Sequence, residues 1–562
     1  MTLPIEVLFF PLALLAYLPC LRGPLIFDAI ESVKEVKAWQ WSRAWYRKRY
    51  GKAMPYRVLS VLSWAADLWR ARVTGADMDR CRTCEGQATW ALHTTNVAIH
   101  AVNAMVVGFI GESVGLPRLL TGAVFLLHPF AANSVANIPA RASLLSATFG
   151  FLAVLAALSA HPLYIVPALG LAVLTKEDGA GFVFPVLAVL LWHGDNGLAL
   201  GLWAIGMVAF LKYLPMLKDF IHRNGDKEMA PSGLPVSLPF RDHGYTVAVE
   251  TLIRLPKWAV GFGMSPYHGS GMPVPGFWKL LGSVTVVAAV MQCPPVVAIL
   301  ILAGPWLIYL VCPVPDQLME YRNYSIVAGF ALLIAAVPSV YVVLPFFLAL
   351  TAIRSFPWSS RVEMWKEAAR CASGDPSRAL QEIGAWLKLD GKRWEAEPYL
   401  KDAVKANPRL APAWDNLAWV QLETGRTEKG IATLEHCTRV CPDYPIAFEE
   451  LGAIYQQQGR LEEAEMAFQR ANALERAPHR ENRIGLMRFY QRQYDVAFHW
   501  FKKALDATGD YQYLWNCGMS LKFAGDIEGA RDCETRLKAQ LKGGDILGTH
   551  EMVRYDYREP TA

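Results

Sequence analysis

The stretch Phe448-Glu-Glu-Leu-Gly-Ala-Ile-Tyr-Gln-Gln-Gln-Gly-Arg-Leu-Glu-Glu-Ala-Glu-Met-Ala-Phe-Gln-Arg-Ala471 decides the architecture of the C-terminal third. Leu451, Gly452 and Tyr455 precede Gly459, and Ala464, Phe468 and Ala471 follow it at helical spacing. The reading is two antiparallel helices, close where the residues are small, with aromatics filling the gap to the next unit. Working outward, the pattern returns with a period of about 34 residues. Small residues align at Gly391, Gly425, Gly459 and Gly525, and again five later at Ala396, Gly430, Ala464 and Ala530; Pro408 and Pro442 close two units. The unit around Ala497, Phe501 and Ala504 has Arg492 at the glycine position.

This is a tetratricopeptide array, expected over residues 359–545 as about five repeats, with 546–562 left as a tail. Such an array forms a short superhelix whose concave face usually binds an extended peptide or another protein. The bland alternative is a rigid spacer.

Upstream the composition changes. Of the 55 Lys+Arg and 50 Asp+Glu in the 562 residues, about 60 lie after Ser360, while the whole chain is 53% hydrophobic. That separates a membrane part from a soluble one. The formal charge of +5 is too small to argue for a nucleic-acid partner, and 19 Trp, 21 Tyr and 25 Phe exclude disorder. Ile5 to Leu21 lacks a basic flank and a cleavage site, so it reads as an uncleaved first membrane helix. After a polar, aromatic stretch, apolar runs cover residues 91–110, 119–138, 144–158, 163–174, 182–192, 198–214, 280–291, 296–311, 326–337 and 340–353. The fold class expected is all-α: a polytopic helical bundle of about eleven spans over residues 1–358, followed by the repeat superhelix. The ten cysteines are scattered; Cys81 and Cys84 leave a disulfide, free thiols or half of a metal site open, whereas Cys437 and Cys441, one helical turn apart, read as packing residues.

Several polar residues interrupt the apolar runs. Asp28 follows the first span, where a solvated helix end is the ordinary reading. Arg57 sits in Met54-Pro-Tyr-Arg-Val-Leu-Ser60 among aromatic and apolar neighbours. His93, Asn96, His100 and Asn103 fall at steps of three, four and three and so form one stripe on a helix. A polar stripe facing lipid is costly, so it should face the protein interior or a wet cavity; helix-to-helix hydrogen bonding is the bland reading. His128 ends the next run, Arg141 opens the one after it, and Lys176-Glu177-Asp178 separates two others as a surface loop would. Cations at a bilayer boundary beside a carboxylate are also what a phosphate-linked substrate requires.

In this order, Phe27-Asp28, Tyr56-Arg-Val-Leu-Ser60, the His93 to Asn103 stripe, His128-Pro129, Arg141 with Leu144-Leu145, Lys176-Glu177 and Glu320-Tyr-Arg-Asn-Tyr324 resemble the transmembrane and tetratricopeptide repeat-containing O-mannosyltransferases and their bacterial relatives. The resemblance covers most of the chain. It departs at Ala29 and Asn133, where the family often carries acids, and near Ser143, where it often carries another. It implies a GT-C glycosyltransferase fold and transfer of a sugar from a polyprenyl-phosphate carrier to a Ser or Thr hydroxyl of a protein acceptor, on the non-cytoplasmic face. Asp28 would then take the hydroxyl proton. Arg57, His93, His128, Arg141, Lys176 with Glu177, and Arg322 would serve the donor phosphate. No cofactor is demanded, and a divalent metal stays open. The partners expected are the lipid-linked donor, a protein acceptor held by the repeats and membrane lipids, with no nucleic acid. The location expected is a bacterial inner membrane, with the repeats outside. The basic first loop around Arg43, Arg47, Lys48 and Arg49 would by the positive-inside rule lie in the cytoplasm; the resemblance places it outside, against head groups. Two alternatives are an O-antigen ligase or oligosaccharyltransferase-type enzyme, and a non-enzymatic scaffold for envelope or pilus assembly.

Overall fold

The computed structural model describes residues 5–21, 23, 58–72, 82–202, 324–337, 340–371 and 375–540, and every regular element among them is helical. The chain divides into two compact units, residues 1–386 and 387–562.

The first unit is organised on the Arg82–Ser113 helix, 32 residues long. Helices Phe9–Tyr17, Val58–Ala71, Arg118–Leu127 and Arg141–Leu158 pack against it. The chain breaks between these helices for a local reason. Pro129 has no amide hydrogen to continue the Arg118–Leu127 helix, and it forces the preceding His128 to an extended ψ of 119°. A second break falls at Asn137, ψ 112°, just ahead of Pro139.

Each break frees carbonyls, and an apolar interior has no water to satisfy them. Side chains do so instead. The His100 ring meets Leu126 O at 3.0 Å, and Thr351 Oγ1 donates to Leu127 O at 2.7 Å. Arg354 Nε donates to Pro129 O at 3.1 Å. Asn96 Nδ2 donates to both Val135 O and Asn137 O, at 3.1 and 3.2 Å.

Three helices among the described residues are long and apolar enough to cross a membrane: Ala88–Ser113, Ile138–Leu158 and Tyr341–Ser359. The pair Arg118–Leu127 and Pro129–Ala136, bent by 45°, makes a fourth if counted as one span. The expected eleven-span bundle is therefore not what the described residues form. Glu6–Cys20, Pro162–Thr175, Gly179–Trp192 and Ile326–Ala335 are apolar but fall short of the ~20 residues that cross a bilayer. The expected runs 280–291 and 296–311, and most of 198–214, lie outside the described residues.

In the C-terminal part the helices come in pairs: Ser377–Leu389 with Arg393–Ala406, Ala411–Glu423 with Thr427–Val440, Pro445–Gln457 with Leu461–Leu474, Pro478–Tyr490 with Tyr494–Thr508, and Tyr511–Ala524 with Ile527–Gln540. These helices lie where the array of about five repeats is expected. From Ala411 onward each helix packs on the next in the chain. Gly452 shows why a small residue recurs there, since a Cβ would come within 2.8 Å of the Phe468 ring. Phe468 itself is fully buried in the core shared by Leu451, Ala464, Ile484 and Met487. Phe468→Ala should cost ~3–5 kcal/mol, read as faster amide hydrogen exchange across residues 411–490. Cys437 and Cys441 are free thiols, and Cys437 is core, as the sequence indicates.

Four of the turns between paired helices use glycine at positive φ; the fifth places Arg492 there, at φ 62°. A side chain in the left-handed region is strained. Arg492→Gly should therefore stabilise the fourth pair by ~0.5–1 kcal/mol, seen as slower exchange of its amides.

Candidate functional site

The polar stripe faces inward. His93, Asn96, His100 and Asn103 are all buried, at 2% exposure or less. His100 Nδ1 and the Tyr324 hydroxyl lie 2.6 Å apart, and Asn103 Nδ2 donates to the same hydroxyl at 3.2 Å and to Leu144 O at 3.1 Å. His93 makes no hydrogen bond of good geometry among the described residues, although the Gly23 backbone and Arg141 are its polar neighbours.

Arg141 is fully buried where its helix begins, and the carboxylate beside it is Asp67 of the Val58–Ala71 helix. Arg141 Nη1 lies 2.6 Å from Asp67 Oδ2 as an ion pair. Its Nε donates to Asn96 Oδ1 at 2.7 Å, Nη1 to Ser63 Oγ at 3.4 Å and Nη2 to Leu92 O at 2.5 Å. Asp67 Oδ1 also accepts from Thr95 Oγ1 at 2.7 Å and lies 3.2 Å from Arg70. The network therefore ties the helices that carry Asp67, Asn96 and Arg141 to one another. A buried charge of this kind persists because it is paired and hydrogen-bonded.

Lys176 is buried and donates to Ser143 Oγ at 2.9 Å. His128 is buried, stacked on Phe330 at 5.5 Å with 14° between planes, and its Nδ1 caps the amide of Phe130. Two neutral groups make hydrogen bonds here: Ser143 with Lys176, and Asn133 with Trp358 Nε1 at 3.2 Å. Asp28, Arg57 and Arg322 lie outside the described residues, as does the side chain of Glu177. The expected convergence of Asp28 with Arg57, Arg141, Lys176 and Arg322 thus has only Arg141 and Lys176 on view. Cys81 and the side chain of Cys84 are likewise outside. Among the described residues no three His, Cys, Asp or Glu side chains are grouped to hold a metal.

Within the repeats, Asp415 and Glu450 come from the first helices of consecutive pairs and repel each other. Burial, and then Glu450, push the Asp415 carboxyl up to about 6, while Lys388 opposes the shift. Burial, ahead of Glu449, also raises Glu450. Lys388 lies 4.8 Å from the Trp419 ring centre and donates to Asn416 Oδ1 at 2.6 Å. Glu397 is the opposite case. Arg426 grips both its oxygens, at 3.0 and 2.8 Å, and holds its carboxyl down at about 2.

A raised carboxyl stabilises below its unfolded value and loses that contribution as pH rises through the folded one. Between pH 7 and pH 5 the repeats should therefore gain stability from Asp415. Below about pH 4.5 the Glu397 contribution begins to fade. Hydrogen exchange of the repeats at pH 5 and 7, corrected for intrinsic rates, should show the gain, and Asp415→Asn should remove most of it.

The tetratricopeptide repeat family model matches residues 411–444 and 447–478. No curated protein matched the chain. Among solved structures it is similar to MamA, at 19% identity over 28% of this chain and 95% of that one, TM-score 0.27. It is similar to PilF of Pseudomonas aeruginosa, at 20% identity over 30% of this chain and 77% of that one, TM-score 0.27. A third is YrrB, described as a TPR protein with an unusual peptide-binding site, at 15% identity over 32% of this chain and 94% of that one, TM-score 0.29. Residues 411–478 are thus tetratricopeptide repeats, a fold that typically binds peptide or protein partners.

Proposed function

We propose that the chain is an integral-membrane glycosyltransferase that moves a sugar from a polyprenyl-phosphate carrier to a Ser or Thr hydroxyl of a protein acceptor, on the non-cytoplasmic face. The observation that supports it most is the burial of His93 and Lys176 among apolar helices. Ionisable groups so placed are costly, and they mark substrate pathways more often than surface ones do. In this reading Asp28 removes the proton of the acceptor hydroxyl as it attacks the anomeric carbon. Charge gathering on the departing lipid phosphate is offset by cations from Arg57, Lys176 and Arg322. The repeats hold the acceptor.

A second reading has its own support. Arg141 is neutralised by Asp67 inside the protein, as in a purely structural network, and the repeats alone would make a membrane scaffold. Complementation separates the two. In cells lacking the chain, glycosylation of the acceptor protein returns with the parent and fails with Asp28→Ala at equal expression if the enzyme reading holds. Full restoration by Asp28→Ala favours the scaffold.

A further inference from the structure

We infer that Arg70 presents a binding site for the phosphate headgroup of a membrane amphiphile, with Trp69 and Trp90 against its apolar part. The inference rests on the membrane reading above, but not on sugar transfer.

Asp67 lies between two guanidinium groups, 2.6 Å from Arg141 and 3.2 Å from Arg70. One carboxylate against two arginines leaves one positive charge. Arg141 has no exposure, and its contacts to Asn96, Ser63, Leu92 and Asp67 occupy its guanidinium. The surplus therefore emerges at Arg70.

The geometry of Arg70 suits an anion. Its Nη2 is pinned by Ala91 O at 2.9 Å and Thr95 Oγ1 at 3.1 Å, so the side chain is held in place before any ligand arrives. Its Nε and Nη1 make no hydrogen bond among the described residues, and half of the side chain, 51%, is exposed. A fixed guanidinium with free N–H groups matches the oxygens of a phosphate.

The neighbours decide what carries the phosphate. Trp69 precedes Arg70 and is 69% exposed; Trp90 precedes Ala91, whose carbonyl Arg70 grips, and is 47% exposed. A free phosphate has no use for two indole faces. An amphiphile has, because tryptophan settles at the boundary between head groups and chains. The occupant chosen is thus a lipid phosphate.

The test uses the full chain in neutral detergent, titrated with farnesyl phosphate, phosphatidylglycerol and inorganic phosphate and read by native mass spectrometry. Farnesyl phosphate should bind, about tenfold more weakly to Arg70→Gln, and more weakly to Trp69→Ala, an exposed change that leaves the fold intact. The same Arg70 dependence with phosphatidylglycerol extends the site to bulk anionic lipid and also supports it. Equal binding by parent and both variants overturns it, as does displacement of the lipid by inorganic phosphate at matched concentration. Because no sugar transfer is read, these results bear on this site alone. A chain that stays in solution without detergent would instead overturn the membrane reading.

Discussion

Asp67→Ala is expected to destabilise the first unit by ~3–5 kcal/mol, because it leaves the Arg141 guanidinium buried without its counter-ion. Arg141 has no exposure and Asp67 is only 4% exposed, so water cannot take over. The loss should appear as a lower unfolding midpoint in detergent. The double variant Asp67→Leu with Arg141→Met should recover at least ~2 kcal/mol of it, since an apolar pair of similar volume no longer strands a charge. Recovery will stay incomplete, because Asn96 Oδ1 and Leu92 O lose the donor they share. If Asp67→Ala unfolds as the parent does, the network does not hold these helices together.

Asp28→Asn carries the second large effect. An alcohol attacks poorly at neutral pH without a base, and a positioned carboxylate contributes typically ~10²–10⁴-fold. Transfer should fall by that factor while the affinity for the lipid-linked donor changes little, since the amide keeps the size of the side chain but cannot take the proton. Equal losses in kcat and kcat/KM, with KM unchanged, would place the effect in the transition state.

How much of this was legible in the sequence differs by element. The repeats were, because small residues at a fixed period have one economical explanation, two helices packed closely. So was the inward direction of the His93 stripe, since steps of three and four fix one helix face and the surrounding apolar residues exclude water. Asp67 was missed. It lies in a stretch read as a polar loop, yet Trp64 and Leu68, both buried, share its helix face, and that periodicity is the signal that places the acid inside. The role of Tyr324 is not legible in the sequence, since its partners His100 and Asn103 are more than 200 residues away and only folding brings them together. The breaks inside the apolar run 119–138 were not legible, because hydropathy does not reveal where proline will cut a helix: Pro129 and Pro139 divide what reads as continuous helix.

Sugar transfer is tested most directly by reconstituting the purified chain in liposomes with a polyprenyl-phosphate sugar labelled in the sugar and a panel of Ser- and Thr-containing acceptor peptides. The prediction is label covalently attached to a peptide hydroxyl, reduced at least about a hundredfold by Asp28→Asn at equal donor binding. Donor bound by the parent with no label transferred, or equal transfer by parent and Asp28→Asn, would contradict it.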